Sequence, residues 1–318
     1  MKSLIIGAAG FVGTYLIRHL KQEPGHAVAA TKMPQEQLQA ETIGAGEMDI
    51  YDLDILDRSA VLELLREVRP DYVFHLAAQS SVAAAWKNPE MTVDVNIRGA
   101  VHVLEALRRL DHSPRVLLVG SGEEYGIVHP EEIPIREDHR EDPGNIYAAT
   151  KVCQNMLGRI YARAYGLEVL MVRAFNHIGP NQAPLFVVSD FCRQAAWIEA
   201  GRQEAVIQVG NLDVKRDFTD VRDVVRAYAM LIRSGKAGET YNVGSGRAVK
   251  IADILQMILE KSPADIQVKA DPSKLRPVDL PVIEADIRKL QEITGWRPLI
   301  GLEQTIEETL EYWRDRVF

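Results

Sequence analysis

Short runs that are apolar along their whole length alternate with longer stretches in which apolar residues recur every three or four positions. The runs are SLIIG, AVAAT, DYVFHLAA, RVLLVGS and EVLMVRAF, and the stretches between them predict helices over 11–21, 59–68, 92–110 and 146–164. A strand without polar alternation is one buried on both faces, as in parallel sheets covered by helices. The fold class that follows is α/β, a doubly wound parallel Rossmann sheet. After about residue 176 the rhythm breaks, with AVIQVG, ETYNVG and IQVKA as short strand candidates among helices and KLRPVDLP as a loop. The expected division is a Rossmann domain over 1–175 and a smaller, more irregular α/β substrate lobe over 176–318. Segments within about 211–245, including a helix over 224–232, are expected to return to the first domain. The lobe belongs over the carboxyl ends of the strands, where open α/β sheets bind ligands.

Composition narrows the class of partner. With 47% hydrophobic and 26% charged residues the chain has a globular balance. Lys and Arg number 37 against 45 Asp and Glu, a net charge of −8, which argues against a nonspecific nucleic-acid binder. An anionic ligand must therefore be held by particular arginines and lysines. Cys153 and Cys192 are too few for a disulfide scaffold or a four-cysteine zinc site, and a reducing compartment follows. No apolar run approaches the ~20 residues that span a bilayer. The opening MKSLIIGAAG turns glycine-rich after too short an apolar stretch for a signal peptide. The expectation is a soluble cytoplasmic protein with no nucleic-acid or membrane partner.

Candidate chemistry begins directly after the first strand. GAAGFVG places Gly7, Gly10 and Gly13 at G-x-x-G-x-x-G spacing, with Phe11 and Val12 opening the following helix. Such glycines allow a tight turn and close approach of a pyrophosphate to a helix N-terminus. An NAD site usually carries an acid on the ribose about 20 residues later. Here the second strand ends in Thr31 and Lys32. A cation there favours the 2′-phosphate of NADP, so NADPH is the expected cofactor and NADH the alternative. Asp54 and Ile55, at the end of the third strand, are adenine-side candidates, although Asp54 could equally cap a helix. Further on, GNIYAATK puts Tyr147 and Lys151 four apart on one helical face. A phenol with a reference pKa of about 10 needs such a cation to exchange protons near neutrality.

Taken in order, GAAGFVG, HLAAQSSV, GSGEEYG and YAATK resemble the extended short-chain dehydrogenase/reductase family, in its nucleotide-sugar-modifying branch. The resemblance covers nearly the whole chain. It implies that Tyr147 and Lys151 form the acid/base unit and that Ser121 binds the reacting sugar oxygen. His75, Leu76, Ala77 and Ala78 match the strand end lining the nicotinamide side, Gln79 follows toward the substrate, and Asn96 in DVNIRGA matches a buried structural asparagine. In the family's 4,6-dehydratases an acid or serine and then a glutamate follow the hydroxyl residue. Here Gly122 replaces the first and Glu123 keeps the second. Glu123 is thus either a dehydratase base, a substrate-orienting group or an inherited remnant.

With RAFNHIGPNQ, IQVGNLDVKRDFTDVRDVV and KLRPVDLP, the pattern looks most like the branch that reduces 4-keto-6-deoxy GDP-hexoses. That likeness implies a GDP-sugar substrate. Arg216 and Arg276 match positions that hold its ribose or diphosphate; otherwise they pair with Asp217 and Asp279. Asn176 matches a diphosphate contact, with His177 ordering the loop rather than binding metal. Val188 and Arg193 contact the base or phosphate, or else belong to the core. The resemblance also implies a homodimer, through a four-helix bundle of the Tyr147 helix and the helix after Asn96. A non-catalytic nucleotide sensor on the same scaffold is the rival of a different kind.

Overall fold

The computed structural model describes residues 1–38, 48–274 and 280–317. Its strands are β1 (Lys2–Ile6), β2 (Ala27–Lys32), β3 (Asp49–Asp52), β4 (Tyr72–His75), β5 (Arg115–Ser121), β6 (Val169–Ala174) and β7 (Asn176–Ile178), then β8 (Val206–Val209), β9 (Lys215–Asp220), β10 (Thr240–Val243), β11 (Ala248–Lys250), β12 (Gln267–Ala270) and β13 (Val282–Ile283). Seven of them form one sheet in the order β3-β2-β1-β4-β5-β6-β10, and every pairing in it is parallel. This is the doubly wound order, with its switch point between β1 and β4.

The apolar runs account for this sheet because alternate residues feed two separate cores. On one face Ile5, Phe74, Leu117 and Leu170 pack with Leu16, Ile17, Val224 and Tyr228. On the other Leu4, Val73, Leu118 and Met171 pack with Leu65, Leu104 and Tyr161. Each such side chain contributes about 1.5–3 kcal/mol when fully buried. ETYNVG, which becomes β10, extends the parallel sheet beside β6, and the helix Val221–Ser234 packs against the helix Phe11–Lys21.

Two segments differ from their sequence pattern. The expected continuous helix over 92–110 is divided into Pro89–Val93, a π-helical stretch Asp94–Gly99, and Ala100–Leu107. At the π stretch the Asn96 side chain turns inward, accepting from Gln79 N at 2.8 Å and donating to Gln79 O and Thr150 Oγ1. KRDFTD, rich in charge, is the buried strand β9 at the centre of a second sheet, paired with β7, β11 and β13. Its Asp217 can be buried because its carboxylate accepts N–H bonds from Ser245, Gly246 and Ala285. Val188, Phe191, Ile207, Ile254, Ile306 and Leu310 form the core of this second lobe. Among the described residues no helix is long and apolar enough to cross a membrane.

Candidate active site

A continuous cleft of about 1550 Å³ lies at the carboxyl ends of the parallel strands, walled on its far side by β7, β9 and the second lobe. Of the sequence-predicted site residues that the structure describes, all border it except His75, which is buried rather than lining the cleft. Arg276 and Asp279 lie outside the described residues.

At one end is the glycine turn. Gly7 has φ +84°, and a Cβ there would stand 2.6 Å from the Ala77 backbone. A Cβ on Gly13 would stand 2.5 Å from Ala8 O. These two glycines let the turn press against β4 and against its own helix. Gly10 differs: its Cβ position meets only Gly7 O, at 3.6 Å, and it caps the helix with no side-chain bond to the first-turn N–H groups. The positive end of the helix thus faces the cleft across a backbone that leaves room for phosphate oxygens, and Gly10, Phe11 and Val12 fit the pyrophosphate of a dinucleotide.

Thr31 braces this turn, its hydroxyl accepting Gly7 N at 3.1 Å and its carbonyl accepting Ala8 N at 2.8 Å. Lys32 beside it is ion-paired with Asp52 of β3. The Asp54 carboxylate accepts Leu56 N at 2.9 Å. The capping alternative for Asp54 is overturned, because Asp57 caps the next helix through Ser59 N and Ala60 N. Ile55 is buried, its carbonyl bonded to His102. Leu76 and Ala77 both donate to Ile6 O, at 2.9 Å.

Midway along the cleft the reactive groups meet. Asn145 caps the helix Ile146–Tyr165 by accepting Ala148 N, which starts the helix so that Tyr147 and Lys151 face β5. Ser121 and Tyr147 both border the cleft here, and the Ser121 hydroxyl accepts Glu123 N at 3.2 Å. Lys151 Nζ donates to Val119 O at 2.8 Å and Gln154 Oε1 at 3.3 Å. Burial drives the Tyr147 phenol well above its ordinary value, the Ser121 bond opposing it. Burial also brings Lys151 down to about 8, with Glu124 pulling it back up. His75 is buried beside them, and burial, followed by the Lys151 charge, lowers it to about 3. Its ring nitrogens have no hydrogen-bond partner among the described residues.

Glu123 borders the cleft, with Oε2 accepting Asn145 Nδ2 at 3.2 Å. Gly122 carries no side chain, and a Cβ there would press on the Phe175 ring at 3.2 Å.

The far end is built by the second lobe. Asn176 stands exposed on β7, and His177 stacks on Phe11 at 6.1 Å while bonding Phe175 O. Arg216 donates to Lys215 O and Leu280 O. Val188 is fully buried in the lobe's core. Arg193 pairs with Asp190 and covers Trp197 at 4.6 Å. Gln79 is held by Ser81 O and Thr92 Oγ1. Sequence reasoning missed Lys274, which pairs with Asp190 and borders the cleft. It also missed Gln154, although its place three residues after Lys151 on the same helix was a signal.

Fold and triad define the class: this chain belongs to the extended short-chain dehydrogenase/reductase family of nucleotide-sugar enzymes. Within it, the GDP-mannose 4,6 dehydratase family matches residues 4–309, and the chain is a member. It is 33% identical to the GDP-6-deoxy-D-mannose reductase of Pseudomonas aeruginosa over 98% of this chain and 97% of that one. It is 27% identical to the GDP-mannose 4,6-dehydratase of Yersinia enterocolitica, over 96% of this chain and 92% of that one. The solved structure of RMD from Pseudomonas aeruginosa complexed with NADPH superposes with a TM-score of 0.87 at 32% identity, covering 100% of both chains.

Proposed function

We propose that this chain reduces the 4-keto group of GDP-4-dehydro-6-deoxy-D-mannose with NADPH, giving GDP-D-rhamnose. The observation that carries this reading is Gly122. A 4,6-dehydratase must protonate a departing hydroxyl as well as remove a proton, and between Ser121 and Glu123 this chain has no side chain to do the first, only the Phe175 ring against the Gly122 Cβ position. A ketone reduction needs neither group. The Pseudomonas aeruginosa reductase relative and the NADPH-bound neighbour support the same choice.

Gly10–Gly13 would hold the pyrophosphate of NADPH, Lys32 and Asp54 its adenosine and Leu76–Ala78 its nicotinamide, and bound there it would supply one hydride, that is a proton together with two electrons, for carbon 4. The chain's own groups do the rest. Ser121 donates to the sugar's oxygen 4 and holds it at Tyr147. As the carbon–oxygen π bond opens, the Tyr147 O–H bond breaks and its proton goes to oxygen 4, so the ketone becomes a hydroxyl. Lys151 stabilises the resulting tyrosinate, which is reprotonated from solvent. Proton transfer of this type contributes about 10²–10⁴ in rate. Asn176, Arg193, Arg216 and Arg276 would hold the GDP diphosphate and ribose, overcoming the net charge of −8 locally.

The enzyme acts as a homodimer in this reading. Ala149, Cys153, Met156 and Ile160 form an apolar stripe turned away from the core on the Tyr147 helix, with Met156 and Ile160 47% and 52% exposed. Val93 is 43% exposed on the neighbouring segment. Sedimentation velocity of the purified chain checks this. Both cysteines are free, the state a reducing cytoplasm maintains.

The second reading is a GDP-mannose 4,6-dehydratase, favoured by Glu123 at the cleft. Parallel incubations separate the two: NADPH with the keto sugar, and NADP with GDP-mannose. Loss of reduced-nicotinamide absorbance in the first supports the reductase. A keto sugar formed in the second, with no loss in the first, establishes the dehydratase.

A further inference from the structure

We infer that Glu124 is a positioning residue for this reaction, a buried carboxylate that fixes Ser121 against the helix carrying Tyr147 and Lys151. The inference rests on the reading of Ser121 and Tyr147 given above, but not on which sugar they act upon. Glu124 is fully buried and does not border the cleft. Its Oε1 accepts the Ser121 backbone N–H at 2.8 Å, closing a capping box with the Ser121 side chain. Its Oε2 accepts Asn155 Nδ2, one helical turn beyond Lys151, at 3.2 Å, and Arg173 Nε of β6 at 2.9 Å. Asn155 in turn accepts Thr240 Oγ1 of β10 at 3.0 Å. One carboxylate therefore ties β5, β6 and the acid/base helix together, and reaches β10 through Asn155.

The surroundings are fitted to this role. A Cβ on Gly120 would lie 2.1 Å from Glu124 Oε1, so the residue before Ser121 must be glycine for the carboxylate to sit there. Arg173 is anchored from the other side by Glu141 and by Glu137 O, and lies 4.5 Å from the Tyr125 ring centroid. A buried ion pair gains little net stability over apolar packing. What it does supply is directional: three donors from three elements converge on two oxygens, and the Ser121 amide, next to the reacting hydroxyl, is one of them.

The test compares wild type, Glu124→Gln and Asn155→Ala. The charged and titratable groups around the pair are Arg173, Tyr125, Tyr147 and Lys151 facing Glu124, and Glu124 and His75 facing Lys151. Hydride transfer is followed in single turnovers with whichever of the two sugar–cofactor pairs the wild type uses, since both reactions pass a hydride at carbon 4. Glu124→Gln is expected to slow transfer by about 10- to 100-fold, the range for a displacement near 1 Å, with NADPH affinity unchanged. Its alkaline limb moves to lower pH, because a negative charge that favours protonated Lys151 is gone. Amide hydrogen exchange over residues 119–125 rises in the cofactor-free protein. Asn155→Ala, which strands no charge, shows the same rise in exchange and a smaller rate loss, and decides the matter alone if Glu124→Gln does not fold. Wild-type rates and exchange in the folded variants overturn the proposal, as does a rate loss matched by equal loss of NADPH binding. A wild type active only on GDP-mannose overturns the reductase reading and leaves this test standing.

Discussion

Lys151 Nζ donates to the Val119 carbonyl at 2.8 Å, two residues before Ser121 on the same strand. The buried Lys151 ammonium is thereby pinned to the strand that carries Ser121. Helix and strand carry one reactive unit, and a change on either is felt by both.

Replacing Tyr147 by Phe removes the proton donor and little else, since the ring is buried and the backbone unaltered. Turnover is expected to fall by about 10²–10⁴, while NADPH titrated by fluorescence binds as in the wild type. Unchanged turnover would exclude Tyr147 as the acid.

Lys151 gives the pH dependence. It is charged below about 8 and neutral above, so reductive turnover declines as pH rises through that value. The linked stability runs the other way. Between about 8 and the ordinary value of 10.5 the unfolded chain keeps a proton that the native state has lost, so stability rises with pH across this window. Lys151→Met removes the cost of the buried charge, and calorimetry at neutral pH should find a higher melting temperature in an inactive enzyme.

The glycines separate packing from binding. Gly13→Ala forces a Cβ to 2.5 Å from Ala8 O and lowers the melting temperature. Gly10→Ala meets nothing nearer than 3.6 Å, so it melts with the wild type. It nevertheless weakens NADPH by about tenfold or more, about 1.4 kcal/mol, by filling phosphate space. Calorimetry and cofactor titration on both variants check the contrast.

If Lys32 meets the 2′-phosphate as proposed, coenzyme choice turns on its ion pair with Asp52. Lys32→Ala is expected to weaken NADPH and leave NADH unaffected, whereas Asp52→Asn frees the ammonium and tightens NADPH. Titrating both coenzymes into each variant reads the effect directly; equal changes for the two would remove the 2′-phosphate from the account.

What the sequence made legible is what local pattern encodes. Whole-length apolar runs gave the parallel sheet, and RVLLVGS coincides with β5. Gly10 and Gly13 meet Gly7 and Ala8, a few residues away, and Tyr147 and Lys151 share one helical face, so their spacing was readable. Groups that act through distant partners were not. KRDFTD is charged yet buried because its Asp217 is satisfied by the N–H groups of Ser245, Gly246 and Ala285, distant along the chain. Glu124 resembles an ordinary helix-capping acid until Asn155 and Arg173 are brought to it by the sheet. The π stretch at 94–99 has no pattern of its own, since it is set by where Asn96 must reach.

The most direct measurement is the fate of a labelled hydride. NADPH carrying deuterium at nicotinamide carbon 4 is mixed with the protein and GDP-4-dehydro-6-deoxy-D-mannose, and the sugar product is examined by mass spectrometry and NMR. The account predicts one deuterium, at sugar carbon 4, with one NADPH consumed for each 6-deoxyhexose formed. A keto sugar recovered unlabelled, with the NADPH intact, would contradict it.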